Sequence, residues 1–318
     1  MIAVEQLRKT FGDKVAVTNL SFSLEQGQTL ALVGTSGSGK TTTLKMLNRL
    51  IPPTAGRILL NGKDTSTLPL AEMRRQMGYI IQQIGLFPHY TVAENIAVVP
   101  NLLGLDDKQI KQRSRALLER LSLPPDQYLD RYPHELSGGQ QQRVGIARAL
   151  AASPPVLLMD EPFSALDQIT RQELRRDFRE LEALRQTTTV IVTHDLEEAF
   201  ELADVICLMD QGELQQFDSP RNLLAQPAND FVREFLGSQQ LQLAMQVLTV
   251  TDLQLSLEKP DNVHHSVISI ANSTRLKEVE AQLLTSKQAA VGQTEDGQFF
   301  DLTDLHRTAV EFLRQNHT

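Results

Sequence analysis

The sequence predicts an α/β fold, with a mostly parallel sheet flanked by helices and a smaller α/β unit attached at the carboxyl end. Two observations carry this prediction. Short apolar runs, "TLALVG" at 29–34, "PVLLMD" at 155–160 and "TTVIVTH" at 188–194, alternate with segments of helical spacing. A glycine-rich turn lies between the first of these runs and the helical pattern after it. With 318 residues, 41% of them apolar, the chain is long enough for one large domain or two smaller ones.

Taken in order, "IAVEQL" and "VAVTNLSFSL" alternate apolar and polar residues as half-buried strands do, and "TLALVG" is continuous enough to be a buried strand. From Thr41, "TTTLKMLNRL" takes up helical spacing with Leu44, Leu47 and Leu50 on one side. A polar, helical middle follows at about 90–153, with Ile110, Leu117, Leu118 and Leu121 as an apolar stripe. Strand "PVLLMD", a charged helix from about Gln168 to Leu184, strand "TTVIVTH" and a helix at "LEEAFELA" continue the alternation. This domain is expected to span 1–237, ending near Gly237, with a glutamine-rich linker or short connecting helix in 238–265. The tail, 266–318, reads as strand 266–270, helix 274–285, strand 288–291, strand 298–300 and helix 303–314.

Composition excludes several classes. A net charge of −8 gives no electrostatic footprint for nucleic acid, and no nucleic-acid partner is expected. Cys207 is the only cysteine, so neither a disulfide nor a cysteine-rich metal site is available, and "DVICLMD" reads as a buried strand. The amino terminus lacks the apolar core of a signal peptide, and no run approaches the roughly 20 apolar residues of a spanning helix. The chain is expected to be folded and soluble, in the cytoplasm unless a partner holds it at a membrane.

The sharpest chemical signal is "GTSGSGKT", Gly34 to Thr41, which satisfies G-x-x-x-x-G-K-[ST] between an expected strand and helix. In Gly34, Thr35, Ser36, Gly37, Ser38 and Gly39 the glycines allow backbone N–H groups to converge on phosphate oxygens. The helix amino terminus that follows, with Thr41 and Thr42, adds a favourable dipole. Lys40 suits the β and γ phosphates, and the Thr41 hydroxyl suits Mg²⁺. "VLLMDEP" supplies the complement, with Asp160 placed for the magnesium shell and Glu161 for polarising an attacking water as general base.

Further on, "LSGGQ" at 136–140 resembles the signature of the ATP-binding cassette family, the ATPase subunits of ABC transporters. Gln82 in "YIIQQ" is similar to that family's Q-loop glutamine, Asp167 closing "SALD" to its D-loop, and His194 in "VTHD" to its switch histidine. The resemblance covers about 200 residues in the family's motif order. It implies a RecA-like core with an antiparallel β subdomain and a helical subdomain, and a head-to-tail dimer with a second copy. In that dimer each ATP lies between one phosphate loop and the other subunit's signature. Gly138 and Gly139 then let a helix amino terminus approach the partner's γ-phosphate, with Ser137 as hydroxyl donor and N-cap and Gln140 completing the motif; simple helix capping is the alternative. By the same resemblance, Gln82 contacts Mg²⁺ or water, with Gln83 as the alternative, and His194 holds the γ-phosphate region. Asp167 links the two sites. Phe11 stands where an aromatic ring usually stacks on adenine, core packing being its alternative. Gln141 and Gln142 are expected to face solvent.

"GYIIQQIGLFPHYTVAENI", 78–96, resembles the corresponding segment of importers for osmoprotectants such as glycine betaine, choline, carnitine or proline betaine. It lies beside the groove where a permease helix docks in the family, which makes Leu86, Phe87 and Tyr90 a candidate docking surface, with core packing as the alternative. The implied partners are membrane permease subunits and, indirectly, a solute-binding protein, which places the chain peripherally on the cytoplasmic face of the membrane. The tail is similar to one CBS motif where relatives often carry a pair, so it is either a dimerising or sensing module or a remnant. Importers of other solutes differ only in the permease. Cassettes acting on DNA or ribosomes carry a coiled-coil insertion or two cassettes per chain, and neither is present here.

Overall fold

A computed structural model describes residues 1–82, 85–181, 186–252, 266–285, 290–295 and 299–315. It divides into two compact units, Met1–Phe217 and Asp218–Thr318.

The first unit opens with an antiparallel sheet in which β1 (Ile2–Phe11) pairs with β2 (Lys14–Leu24). β3 (Thr29–Gly34) then leads through the glycine-rich turn into α1 (Lys40–Leu47). That helix stops at Leu47, because Arg49 takes a positive φ of 49°; Leu50 therefore falls off the expected stripe and is 46% exposed. β4 (Ala55–Leu60) and β5 (Lys63–Asp64) complete a sheet of order β2-β1-β4-β5. The chain continues through α2 (Leu70–Arg75) and β6 (Met77–Ile80) into the helical middle: α3 (Val92–Leu102), α4 (Asp107–Arg120), α5 (Pro125–Tyr128) and α6 (Gly138–Leu150). Ile110, Leu117, Leu118 and Leu121, the expected stripe, are all buried.

β7 (Val156–Asp160), α7 (Gln168–Arg179), β8 (Thr188–Val192), α8 (Leu196–Leu202), β9 (Val205–Asp210) and β10 (Glu213–Asp218) restore the alternation. α7 is shorter than its charge pattern predicts; the expected end, 182–184, lies outside the described residues. The second sheet runs β10-β9-β3-β8-β7-β6, and the five strands from β9 to β6 are parallel to one another. One core packs α1 between the two sheets through Leu44, Met46 and Leu47. Another joins the helical middle to β7 and α7 around Phe163, Leu174 and Phe178. Cys207, in β9, is fully buried, and burial pushes its thiol up to about 12.

The second unit begins upstream of Gly237, with α9 (Pro220–Ala225) and α10 (Asp230–Leu236). The stretch read as a linker starts with α11 (Gln240–Val247), whose Leu243 and Ala244 are fully buried; 253–265 lies outside the described residues. β11 (Ser266–Ile270), α12 (Leu276–Thr285), β12 (Ala290–Thr294), β13 (Phe299–Phe300) and α13 (Leu302–Gln315) follow in the expected order. β11 and β12 are parallel, β12 and β13 antiparallel, and α11 packs against α9, α12 and α13. That packing of α11 on α9 is why the compact unit includes residues before Gly237. Residues 288–289 and 298 of the expected tail strands lie outside the described residues. No described helix is long and apolar enough to cross a membrane.

Candidate active site

Sheet order brings the motifs together. β3, β8 and β7 are adjacent and parallel, so the phosphate loop, His194 and the pair Asp160–Glu161 all leave the same carboxyl edge. The loop is shaped by glycine: Gly34 has φ 147° and Gly39 has φ 97°. A Cβ on Gly34 would lie 1.8 Å from the Met209 carbonyl oxygen, and one on Gly39 would lie 2.4 Å from that of Ala16. Lys40 Nζ folds into the loop, donating to the carbonyls of Gly34 (2.9 Å) and Thr35 (2.7 Å) and to Ser38 Oγ (3.3 Å). Burial holds the Lys40 ammonium below its ordinary range, and the Glu161 carboxylate acts in the opposite direction. The cluster of donors around a cationic tip suits an anion of several oxygens.

Across from the loop, Thr41 Oγ1 donates to Asp160 Oδ1 at 2.9 Å. Burial raises the Asp160 carboxyl above its ordinary value, while the Thr41 hydrogen bond pulls it back. A buried carboxylate beside a hydroxyl is an oxygen donor set of the kind Mg²⁺ prefers, completed by phosphate and water. Glu161 follows at φ 45°, a conformation rare for a residue with a side chain, and its N–H donates to the Val192 carbonyl at 2.9 Å. One carboxylate oxygen, Oε2, accepts from Gln82 Nε2 at 3.0 Å and lies 3.4 Å from His194 Nδ1. Three chain segments therefore meet at one oxygen. Gln83, the alternative to Gln82, lies outside the described residues.

Lys40, Thr41, Glu161 and His194 line a cleft of about 570 Å³ with Phe11, Ser36, Gly37 and Thr42 at its walls, while Gln82 and Asp160 do not line it and reach it through Glu161 and Thr41. Phe11 is 51% exposed, which removes core packing as its explanation, and Lys9 Nζ sits 4.9 Å from the ring centroid. An open aromatic face at the mouth of such a cleft is suited to stacking on a base.

The signature residues lie elsewhere, since none of Ser137, Gly138, Gly139, Gln140 and Asp167 lines this cleft. Ser137 is the N-cap of α6: its Oγ accepts from the Gln140 N–H at 3.3 Å, and Gln140 Oε1 accepts from the Ser137 N–H at 2.9 Å. The two glycines differ. A Cβ on Gly139 would meet Thr170 Cγ2 at 2.8 Å, whereas one on Gly138 would meet nothing within 4 Å. Asp167 caps α7 by accepting from the Thr170 N–H at 3.1 Å, and hydrogen bonding from the Thr170 side chain and then its backbone lowers the Asp167 carboxyl below the ordinary range. Gln141 and Gln142 do not face solvent as expected. Gln141 Nε2 donates to the carbonyls of Pro133 (3.0 Å) and Leu136 (3.2 Å), and Gln142 is buried, donating to the Pro162 carbonyl. Gln141 thus ties α6 to the loop before it, and Gln142 ties α6 to the turn after β7.

A model of the ABC transporter family matches residues 17–164. A choline transport ATP-binding protein of Bacillus subtilis is 50% identical over 242 residues, 76% of this chain and 63% of that protein. A glycine betaine uptake system ATP-binding protein of Escherichia coli is 50% identical over 241 residues, 76% of this chain and 78% of that protein. The chain belongs to the ABC transporter ATP-binding family. A solved dimeric structure of a bacterial ABC transporter cassette superposes with a TM-score of 0.62 at 31% identity, covering 69% of this chain and 98% of that one. The cassette described here spans 63% of the length of the Bacillus relative.

On the helical side of the cassette, a groove of about 780 Å³ runs between α3 and α4, lined by Phe87, Tyr90, Ala97, Leu102, Ile110 and neighbouring residues. Phe87 is 41% and Tyr90 38% exposed; Leu86 is instead half-buried against the helical core. Buried Asn95 organises the turn above the groove: its Nδ2 donates to the carbonyls of Phe87, Tyr90 and Thr91, and its Oδ1 accepts from the Phe87 N–H.

Two contributors were missed in the sequence. Asp210 Oδ1 accepts from Thr35 Oγ1 at 2.6 Å and so fixes the first turn of the phosphate loop. The signal was present, for "CLMD" at 207–210 ends a buried strand in the same way as "LLMD" at 157–160. Gln142 is the other, and nothing in a run of three glutamines distinguishes it.

Proposed function

We propose that this cassette is the ATP-hydrolysing subunit of an importer for an osmoprotectant quaternary amine, working as a head-to-tail dimer under a membrane permease. The observation that carries the hydrolytic part is the convergence of Gln82, Glu161 and His194 on one carboxylate oxygen beside the loop that holds Lys40. The substrate class rests on the names of the Bacillus and Escherichia relatives and on the resemblance of the 78–96 segment to osmoprotectant importers.

In this reading, Lys40 transfers its donors from the Gly34 and Thr35 carbonyls to phosphate oxygens, and the backbone N–H groups of Gly37 to Thr41 take the remainder. Thr41 and Asp160 would hold Mg²⁺, which neutralises developing phosphate charge when bound. Glu161 accepts a proton from the attacking water, leaving ADP and inorganic phosphate as products. Gln82 and His194 orient that carboxylate through Oε2, so that Oε1 is left for the water. Phe11 stacks on the base. Ser137 and Gly138 complete the partner's site, and the α3–α4 groove beneath Phe87 and Tyr90 receives a permease helix. The tail supports the dimer or is a remnant of a sensing module.

Two experiments test this. With Glu161→Gln, turnover falls by about 10²- to 10⁴-fold while ATP still binds and traps a dimer seen by size exclusion; turnover near wild type removes Glu161 as base. In vesicles carrying the reconstituted transporter, radiolabelled glycine betaine or choline is taken up in an ATP-dependent way. Uptake of an amino acid or sugar in its place supports the neighbouring reading, an importer of another solute.

A further inference from the structure

The strained turn carrying Glu161 is held from several sides. Its amino end is tied to β8 through the Val192 carbonyl, and the Glu161 carbonyl accepts from Ser164 Oγ at 3.0 Å. Between them, the Pro162 carbonyl accepts from the Nε2 of Gln142, a side chain only 3% exposed on α6. No backbone N–H among the described residues donates to the Pro162 carbonyl, so the Gln142 amide satisfies an acceptor that the local backbone leaves unpaired. α6 is rigidly placed relative to this turn: Gly139 abuts Thr170 of α7, and Val144, Ile146 and Ala147 lie in the same core as Phe163 and Leu166. A positive φ at a residue with a side chain is strained and persists only where its surroundings enforce it.

We infer that Gln142 is a positioning residue for Glu161: its amide holds the Glu161–Pro162 turn against the signature helix and so fixes where the Glu161 carboxylate points. The inference rests on Glu161 being the base. It also gives α6 two tasks, because its amino terminus serves the partner's site while the side chain of Gln142 serves this subunit's own.

The experiment measures ATPase kinetics of the full-length chain with Gln142→Met, which keeps the volume and removes the donor, alone and combined with Glu161→Gln. Alone, Gln142→Met lowers kcat about tenfold, with the KM for ATP within about twofold of wild type. In the Glu161→Gln background it lowers the residual turnover no further, because its effect passes through the side chain already removed. Gln142→Glu provides a pH readout, since its carboxyl donates to Pro162 only when protonated: the ratio of its kcat to wild type falls as pH rises. If the Met variant unfolds early in a thermal scan, the Gln142→Glu ratio decides by itself. Wild-type kcat in Gln142→Met, or a full further loss on top of Glu161→Gln, overturns the inference while leaving Glu161 as base. Near-wild-type turnover in Glu161→Gln alone overturns both.

Discussion

The phosphate loop and the signature helix both begin with glycines at a helix amino terminus, yet the reasons differ. At the phosphate loop, Gly34 and Gly39 are dictated by atoms of this chain, because the carbonyls of Met209 and Ala16 occupy the space a Cβ would need. At the signature, Gly139 has such a reason in Thr170, and Gly138 has none. A glycine that the chain's own packing does not require, at an exposed helix start, points to something that approaches from outside. One region is explained within a single chain and the other is not.

The largest effect tests the first half of that contrast. Gly39→Ala combines φ 97° with a clash against backbone at 2.4 Å, which no side-chain rotation can relieve. Loss of measurable nucleotide binding by the single chain is expected, with a destabilisation of several kcal/mol, of which about 1–3 kcal/mol is backbone strain alone. Titration calorimetry with ATP and a denaturant melt check it. Retained affinity would mean that the loop is less constrained than its geometry indicates.

Gly138→Ala should reverse the pattern. Its Cβ enters open space and its φ is not positive, so stability is expected to hold or rise by up to about 1 kcal/mol, as glycine is a poor helix former. Turnover of the dimer falls nonetheless, by on the order of 10²-fold if a phosphate must come within reach of that backbone. Full turnover in this variant would break the comparison, since Gly138 would then need neither its own chain nor a partner. Gly139→Ala lies between the two: overpacking against Thr170 costs about 1–3 kcal/mol, and Thr170→Ser in the same chain recovers most of it. Thermal unfolding of the single and double variants measures that recovery.

How much of this was legible in the sequence follows the same division. The phosphate loop, Asp160, Glu161 and His194 were readable because each is a local pattern at the end of an apolar strand, and adjacent parallel strands deliver their ends to one place. Even the tail, from Ser266 on, declared its strands and helices by periodicity. What was not legible depends on tertiary packing. The Leu50 stripe failed because a positive φ at Arg49 ends the helix early, and no pattern in "LNRLIPP" announces that. Gln141 and Gln142 looked solvated because polar residues in a helix normally are. Gln141 is half-buried and Gln142 buried because they donate to the carbonyls of Pro133, Leu136 and Pro162, which only the folded chain brings near. The glutamine-rich stretch after Gly237 suggests a boundary there, whereas the compact unit starts earlier because α11 packs against α9.

The last expected effect is one of pH, and it too differs between the two regions. The cap of α6 is made by neutral groups, Ser137, Gln140 and Tyr128. Beyond His194 in the chain, Glu198 on α8 is 4% exposed, with an Oε1 that has no hydrogen-bond partner among the described residues. Burial and the neighbouring Asp195 push its carboxyl up to about 8; Thr193, Arg175 and Arg171 act against that shift without cancelling it. Below the unfolded value of 4.5 the proton is present in both states, and the stabilisation is complete. As pH rises toward 8 the folded chain keeps a proton that the unfolded chain has released, so this contribution drains away, at up to about 1.4 kcal/mol per pH unit. Glu198→Gln removes the titrating group with little change of shape. The gap in stability between variant and wild type should therefore move in the variant's favour from pH 5 to 8, read as urea midpoints at matched pH. A constant gap would show that the folded protein carries Glu198 charged.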